Sequence, residues 1–305
     1  MSLATDTPRR ARIAALDVIR GFALCGVLLA NLRPISHLPG DDGAWMWILV
    51  DHRFFPIFST LFGVGFSLML ERAGNRTALL RRLLALLVIG LAHRFLLWEG
   101  DILTIYAAVG LVFLLPSSWL PRRVVAALAG VLIVASLALG LGHFGLVPGL
   151  FLLGSALTRY GVTARLEDST RTPLLLAAGF AVLTAPVLWM QLNDVQTPLA
   201  LGVAGLLTAG FHVCAMLGLV RTPLRAVLRG VFEPLGKMAL TNYLSASALV
   251  LLLAHFDLPV LVIAAIVLVV QWIWSTLWLR SFAQGPLEWL WRWVTWARRP
   301  PFRAS

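Results

Sequence analysis

The sequence predicts an all-α polytopic transmembrane helical bundle of about ten spans with both termini cytoplasmic, and three observations carry that prediction. First, 59% of the residues are hydrophobic and 13% charged, with mean hydropathy +0.86; a soluble chain of 305 residues could not hide so much apolar surface. Second, the apolar residues gather into ten runs, near 13–32, 54–70, 83–98, 102–115, 124–144, 146–157, 173–191, 199–220, 238–254 and 258–279. Third, the cations alternate with those runs. Of 25 Lys and Arg, 21 fall on one side of the predicted bilayer, against Arg33 and Arg53 on the other and Arg20 and Arg94 within spans. Adding or losing one span would break that alternation, and the cation-rich side is the cytoplasmic one. All but one of the 25 are Arg, and nearly all of them flank the apolar runs, so the net charge of +11 reports topology and contact with anionic membrane lipids. No nucleic-acid partner is implied. The expected location is a membrane, crossed many times.

Taken in order, the first run follows Arg9, Arg10 and Arg12, and with Asp17 and Arg20 inside it is too long and too charged for a cleavable signal peptide. Asp17 and Arg20, three residues apart, share a helix face and can neutralise one another. Asn31 returns to nearly that face about 16 Å further along. The longest loop, 33–53, carries His37, Asp41, Asp42, Trp45, Trp47, Asp51 and His52 and faces outward. Gly63 and Gly65 in the second run are expected to allow close helix packing. The third and fourth runs leave room only for a tight Glu99-Gly100-Asp101 turn, which puts His93 and Arg94 roughly 8 Å inside one membrane surface. Short runs such as 146–157 must be buried in protein or sit where the bilayer thins. The ninth begins with Lys237, Thr241, Asn242 and Tyr243. After the tenth, residues 281–305 set Trp289, Trp291, Trp293 and Trp296 among arginines, which reads as a cytoplasmic interfacial amphipathic tail following a helical domain of residues 1–280. Cys25 and Cys214 lie within apolar runs, so neither a disulfide framework nor a metal site is expected.

An ionisable group inside lipid is costly unless it serves a site. His93 is therefore the first catalytic candidate, a general base on an acceptor hydroxyl or amine, with Asp101 to orient its imidazole. The same His could simply donate to Asp101 across the turn. Arg20 suits a phosphate or carboxylate of a donor. Asp17 beside it equally serves to hold two helices together. Thr241, Asn242 and Tyr243 are placed either to hydrogen-bond the donor or to act as helix caps and inter-helix glue. Trp98 is an interface anchor or a wall of a cavity mouth. Sorted by side, Asp17, Arg20, Lys237, Thr241, Asn242 and Tyr243 form a cytoplasmic cluster. Asn31, His37, Asp51, His52, Arg53, His93, Arg94, Trp98, Glu99, Asp101, His255 and Asp257 form an outer one. A group-transfer enzyme and a transporter both need polar sites at two ends of one cavity.

Several motifs carry a resemblance: Leu16-Asp17-Val18-Ile19-Arg20-Gly21-Phe22-Ala23, Phe58-Ser59-Thr60-Leu61-Phe62-Gly63-Val64-Gly65-Phe66, His93 with Trp98-Glu99-Gly100-Asp101-Ile102-Leu103, Gly236-Lys237-Met238-Ala239-Leu240-Thr241-Asn242-Tyr243, and Gln284-Gly285-Pro286-Leu287-Glu288-Trp289-Leu290-Trp291-Arg292. In that order they resemble the YeiB-like family of bacterial inner-membrane proteins (domain of unknown function 418). That family is itself similar to the transmembrane acyltransferases, including the lysosomal heparan glucosaminide acetyltransferase and the acyltransferase-3 enzymes. The resemblance implies transfer of an acyl group, acetyl above all, from acyl-CoA as co-substrate to a sugar-like, envelope or small-metabolite acceptor. It implies no bound cofactor and leaves a homodimer open. Arg94, a charge at the same depth as His93, and Tyr106, at the end of the same polar stretch, are further substrate-binding candidates. Where acyltransferase-3 relatives carry a catalytic His, eleven residues after the span-one Arg, this chain has Asn31; His37, in the following loop, occupies the place of the functional His of the heparan enzyme. The connection at His143–Leu146 is much shorter than in longer YeiB-like relatives. The rival expectation is a transporter or exporter of a small anionic or amphiphilic metabolite, with Arg20 and His93 as substrate and proton-coupling groups.

Overall fold

The computed structural model describes residues 13–38, 44–166, 168–193 and 197–303. Arg9, Arg10, Arg12, Asp41 and Asp42 of the sequence reading lie outside the described residues. Each of the ten apolar runs coincides with helix: α1 (Ala14–Ser36), α3 (Phe55–Ala73), α4 (Arg76–Leu96), α5 (Ile102–Val109), α7 (Arg122–Ala138), α9 (Val147–Arg159), α10 (Arg171–Leu192), α11 (Pro198–Leu219), α13 (Ala239–Ala254) and α14 (Val260–Ser281). Shorter pieces join them: α2 (Ala44–Leu49), a π-helical turn at Gly110–Leu114 leading into α6 (Leu115–Ser117), α8 (Gly142–Gly145), α12 (Arg225–Lys237) and, after the last apolar helix, α15 (Pro286–Trp296). Among the described residues the sole β pairing is an isolated bridge between Phe282 and Arg303.

Four of these helices, α1, α10, α11 and α14, are long and apolar enough to cross a bilayer by themselves. The pair α12 and α13 makes a fifth if taken as one span, bent by 83°. The sequence read residues 225–237 as loop; the structure makes them a helix, because Arg225, Arg229 and Glu233 occupy one face of an amphipathic turn and Glu233 pairs with Arg229 and, at 2.7 Å, with Lys237. Leu175 on α10 is 73% exposed and Val182 72%, an apolar face suited to lipid.

Local chemistry sets the helix ends. Asn75 caps α4 by accepting from Thr77 N at 2.9 Å, Asp101 caps α5, and Thr197 caps α11 just before Pro198. Helix crossings are close where glycine removes the side chain. A Cβ on Gly63 would strike the backbone of Phe151, and one on Gly154 that of Thr60, so α3 and α9 cross backbone to backbone. Gly21 and Gly236 do the same for α1 and α12. Gly65 departs from expectation: it meets no neighbour within 4 Å and faces an internal cavity. Glycine there keeps space open instead of closing a helix contact.

The tail does not simply lie along a membrane surface. Trp291 Nε1 donates to Arg82 O on α4 at 2.8 Å, with the Arg82 guanidinium stacked 3.5 Å over the indole. Glu288 accepts from Leu240 N, Thr241 N and Thr241 Oγ1, so α15 supplies the cap that α13 lacks after its sharp bend.

Candidate functional site

A cavity of about 1150 Å³ runs through the bundle, enclosed by α1, α3, α4, α5, the start of α13 and the tail. Arg20 and Asn31 both line it and stand eleven residues apart on α1, about 16 Å along the axis. One end is cationic: Arg20, Arg72, Arg82, Lys237 and Arg292, with Glu288 among them. The charges of Arg20 and Arg292 reach the half-buried Arg82 and oppose its own. Some of this charge is answered within the protein, since Arg20 pairs with Asp17 at 2.9 Å and Lys237 with Glu233. The end as a whole is a concentration of guanidinium groups suited to an anion. Burial raises the pKa of Glu288 against the opposing pull of the hydrogen bonds it accepts.

The opposite end is lined by Asn31, Asp51, His52, Trp98, Gly100 and His143. The His52 and His143 rings lie 4.7 Å apart. Burial, and secondarily the neighbouring His52, lowers the His143 pKa to about 4; burial also lowers that of His52, against the pull of Asp51. Both rings are thus favoured as neutral hydrogen-bonding groups at the mouth.

His93 sits behind this space, not in it. It is 3% exposed, and both ring nitrogens are engaged: Nδ1 with Asp101 Oδ1 at 2.8 Å and Nε2 with Ser247 Oγ at 3.0 Å. Asp101 Oδ2 accepts from Thr104 N and Thr104 Oγ1 at 2.7 and 2.8 Å. With that carboxylate accepting a hydrogen bond from Nδ1–H, the tautomer so fixed presents Nε2 as an acceptor, and Ser247 Oγ–H donates to it. Tyr243 packs between this assembly and the cavity, its ring 5.4 Å from His93 and its hydroxyl accepting from Ile102 N at 3.3 Å.

Of the residues singled out by sequence, Arg20, Asn31, Trp98, Tyr106 and Tyr243 line the cavity, and Tyr106 bonds Ser59 Oγ at 2.7 Å. His93 and Asp101 come together as expected across their turn. His37 is exposed in a left-handed conformation at the end of α1, away from the cavity lining, and Arg94 is exposed on the outer face of α4. Asp17 is buried beside Arg20. Asn242 bonds Ser275 Oγ and Leu235 O, and Thr241 bonds Glu288, so both hold helices together. Two placements change. Tyr243 belongs with His93 and not with a separate cytoplasmic cluster, because the bend at Met238 starts α13 beside α4 and α5. Arg53 is 1% exposed and is not a surface loop cation; it donates to Ile48 O and Gln191 Oε1.

Sequence reasoning missed Ser247, Arg82, Glu288 and His143. Ser247 is one helical turn beyond Tyr243 on the same face, and Glu288 lay in a motif already quoted, but neither spacing names a partner on another helix.

Residues 157–298 match the family described as protein of unknown function (DUF418). An uncharacterized 39.9 kDa protein in the amylase 3′ region of Bacillus acidopullulyticus is 31% identical, covering 95% of this chain and 95% of its own length. The chain belongs to the DUF418 family. Two further DUF418 relatives are YxaH of Bacillus subtilis, 29% identical over 99% of this chain and 98% of its own, and YeiB of Escherichia coli, 27% identical over 93% and 96%. Both are described as uncharacterized. No solved structure matches. The matched DUF418 segment contains Tyr243, Ser247 and Glu288, while His93, Asp101 and Arg82 precede it.

Proposed function

We propose that this DUF418 protein is a membrane-embedded acyltransferase, with ten spans and both termini in the cytoplasm of a bacterial inner membrane. It moves an acyl group, acetyl first among candidates, from acyl-CoA to a sugar-like, envelope or small-metabolite acceptor. The observation that carries the reading is the single cavity joining a cationic end to a polar, histidine-lined mouth. Phosphates of the donor suit the guanidinium groups of Arg20, Arg82 and Arg292. Arg82 and His93 are eleven residues apart on α4, about 16 Å, a reach comparable to a pantetheine arm. His93, held by Asp101, is the general base, and the acceptor enters past Trp98 and the His52–His143 pair.

Calorimetry and thermal shift on the purified protein test this, comparing acetyl-CoA, longer acyl-CoAs and free CoA, with Arg20→Ala and Arg82→Ala as controls. Saturable binding weakened in both variants is expected; absence of binding by every CoA species would overturn the donor assignment. The 83° bend between α12 and α13, beside the cavity-lining Lys237 and Ala239, favours a second reading as a transporter, since broken helices at a binding site are a transporter device. Protein-dependent uptake of a labelled anionic metabolite into proteoliposomes, with no group transfer, would select it.

A further inference from the structure

We infer that Ser247 is a covalent acyl carrier, so that the transfer proceeds through a seryl ester and not by direct attack of the acceptor; this rests on the acyltransferase reading. The argument starts from His93. Its Nε2 faces Ser247 Oγ at 3.0 Å, and its Nδ1 is held by Asp101 at 2.8 Å. A base can deprotonate only what its free nitrogen reaches, and here that group is the Ser247 hydroxyl. Serine, imidazole and carboxylate are in series, with the carboxylate oriented by two hydrogen bonds from Thr104. That is the arrangement that turns a weak hydroxyl into a nucleophile, recognised by geometry and not by chain order.

Access comes from the adjoining space. Ser247 borders a small internal void whose lining also includes Val27, Asn31 and Tyr243, and those three residues line the large cavity as well. Those three residues mark where void and cavity adjoin. Tyr243 precedes Ser247 by one turn of α13, and its hydroxyl accepts from Ile102 N at 3.3 Å and donates to the Asp101 carboxylate. Rotation of that ring joins void to cavity and brings a thioester carbonyl to Ser247, with the Asn31 amide, which faces both spaces, placed to donate to the carbonyl oxygen.

In the first half-reaction Ser247 Oγ bonds to the acyl carbon, the carbon–sulfur bond breaks, the Ser247 proton passes to His93 Nε2, and the departing thiolate takes that proton. In the second, an acceptor hydroxyl or amine gives its proton to His93 Nε2 and attacks the ester carbon. The carbon–Oγ bond breaks, and Ser247 recovers the proton. No oxidant, metal or further co-reactant is required.

The test uses the full chain in detergent with two probes. A membrane-permeable fluorophosphonate reports an activated serine whatever the donor; radiolabelled acetyl-CoA with acid quench and peptide mapping reports the ester. We expect both to mark Ser247, labelling to fall by roughly 10²-fold or more in His93→Ala, Ser247→Ala to lose the mark, and Ser247→Cys to carry a hydroxylamine-labile thioester. Fluorophosphonate labelling without acetyl labelling would leave the serine assignment standing and overturn the donor reading. No labelling of Ser247 by either probe, or transfer by Ser247→Ala at the wild-type rate, would overturn the carrier. Thermal unfolding of each variant separates loss of chemistry from loss of fold.

Discussion

The two polar regions of this molecule solve the same problem, charge inside an apolar bundle, in opposite ways. Around His93 the polar partners are matched one to one: imidazole to Asp101 and Ser247, Asp101 to Thr104, all sealed behind Tyr243. At the cationic end Arg20, Arg82 and Arg292 crowd together with their charges in opposition, and they open on the cavity. The first arrangement has little to gain from a ligand, because its hydrogen-bonding capacity is used internally. The second lies open to the cavity, where an anion adds to its contacts. A closed cluster suits chemistry that needs fixed geometry, and an open cationic one suits binding.

Mutation can break this contrast. The largest effect is expected for His93→Ala, which should lower acyl transfer by about 10²–10⁴-fold while leaving CoA binding intact, and should also destabilise the fold by about 3 kcal/mol because Asp101 is left buried without its imidazole; steady-state rates, calorimetry and thermal unfolding measure the three quantities. Arg82→Ala should do the reverse. Donor affinity falls about tenfold, as for one lost charge-assisted hydrogen bond, with transfer at saturating donor little changed, and an equal loss in both would erase the distinction between the regions. Glu288→Gln removes the one acid among the cavity-lining cations yet keeps one acceptor oxygen over α13. CoA binding should tighten a few-fold while stability drops by roughly 1 kcal/mol.

The smallest effect is a pH dependence at the mouth. The folded-state pKa of His143 is about 4, below its ordinary value of 6.5, so the unfolded chain takes up the proton first as pH falls. Stability contributed by the neutral ring is therefore complete above about pH 6.5 and is lost progressively toward pH 4. His143→Phe should flatten that slope by about 1 kcal/mol once solvent exposure is allowed for, read as melting temperature against pH. An unchanged slope would remove His143 from the account.

The helices were legible because burial in lipid demands long apolar runs, and all ten runs became helix. The His93–Asp101 pair was legible because eight residues and a tight turn join them. Ser247 was not: its contact with His93 closes a separation of 154 residues, and a serine inside an apolar helix carries no local signal. Arg82 was hidden in a group of four arginines whose arrangement looked like topology alone, and only its stacking on Trp291 turns it inward. The depth of Tyr243 depended on the bend at Met238, which is set by α15 capping α13, a contact between segments more than forty residues apart.

That last contact bears on how the protein is made. Glu288, Trp291 and Arg292 wall the cationic end, and they follow the apolar helices of the described residues. During synthesis the helices enter the membrane first, and the cavity stays unwalled on that side until α15 has left the ribosome and docked on α4 and α13. The cationic end of the cavity is thus completed only when segments more than two hundred residues apart in sequence, Arg82 and Trp291, have met.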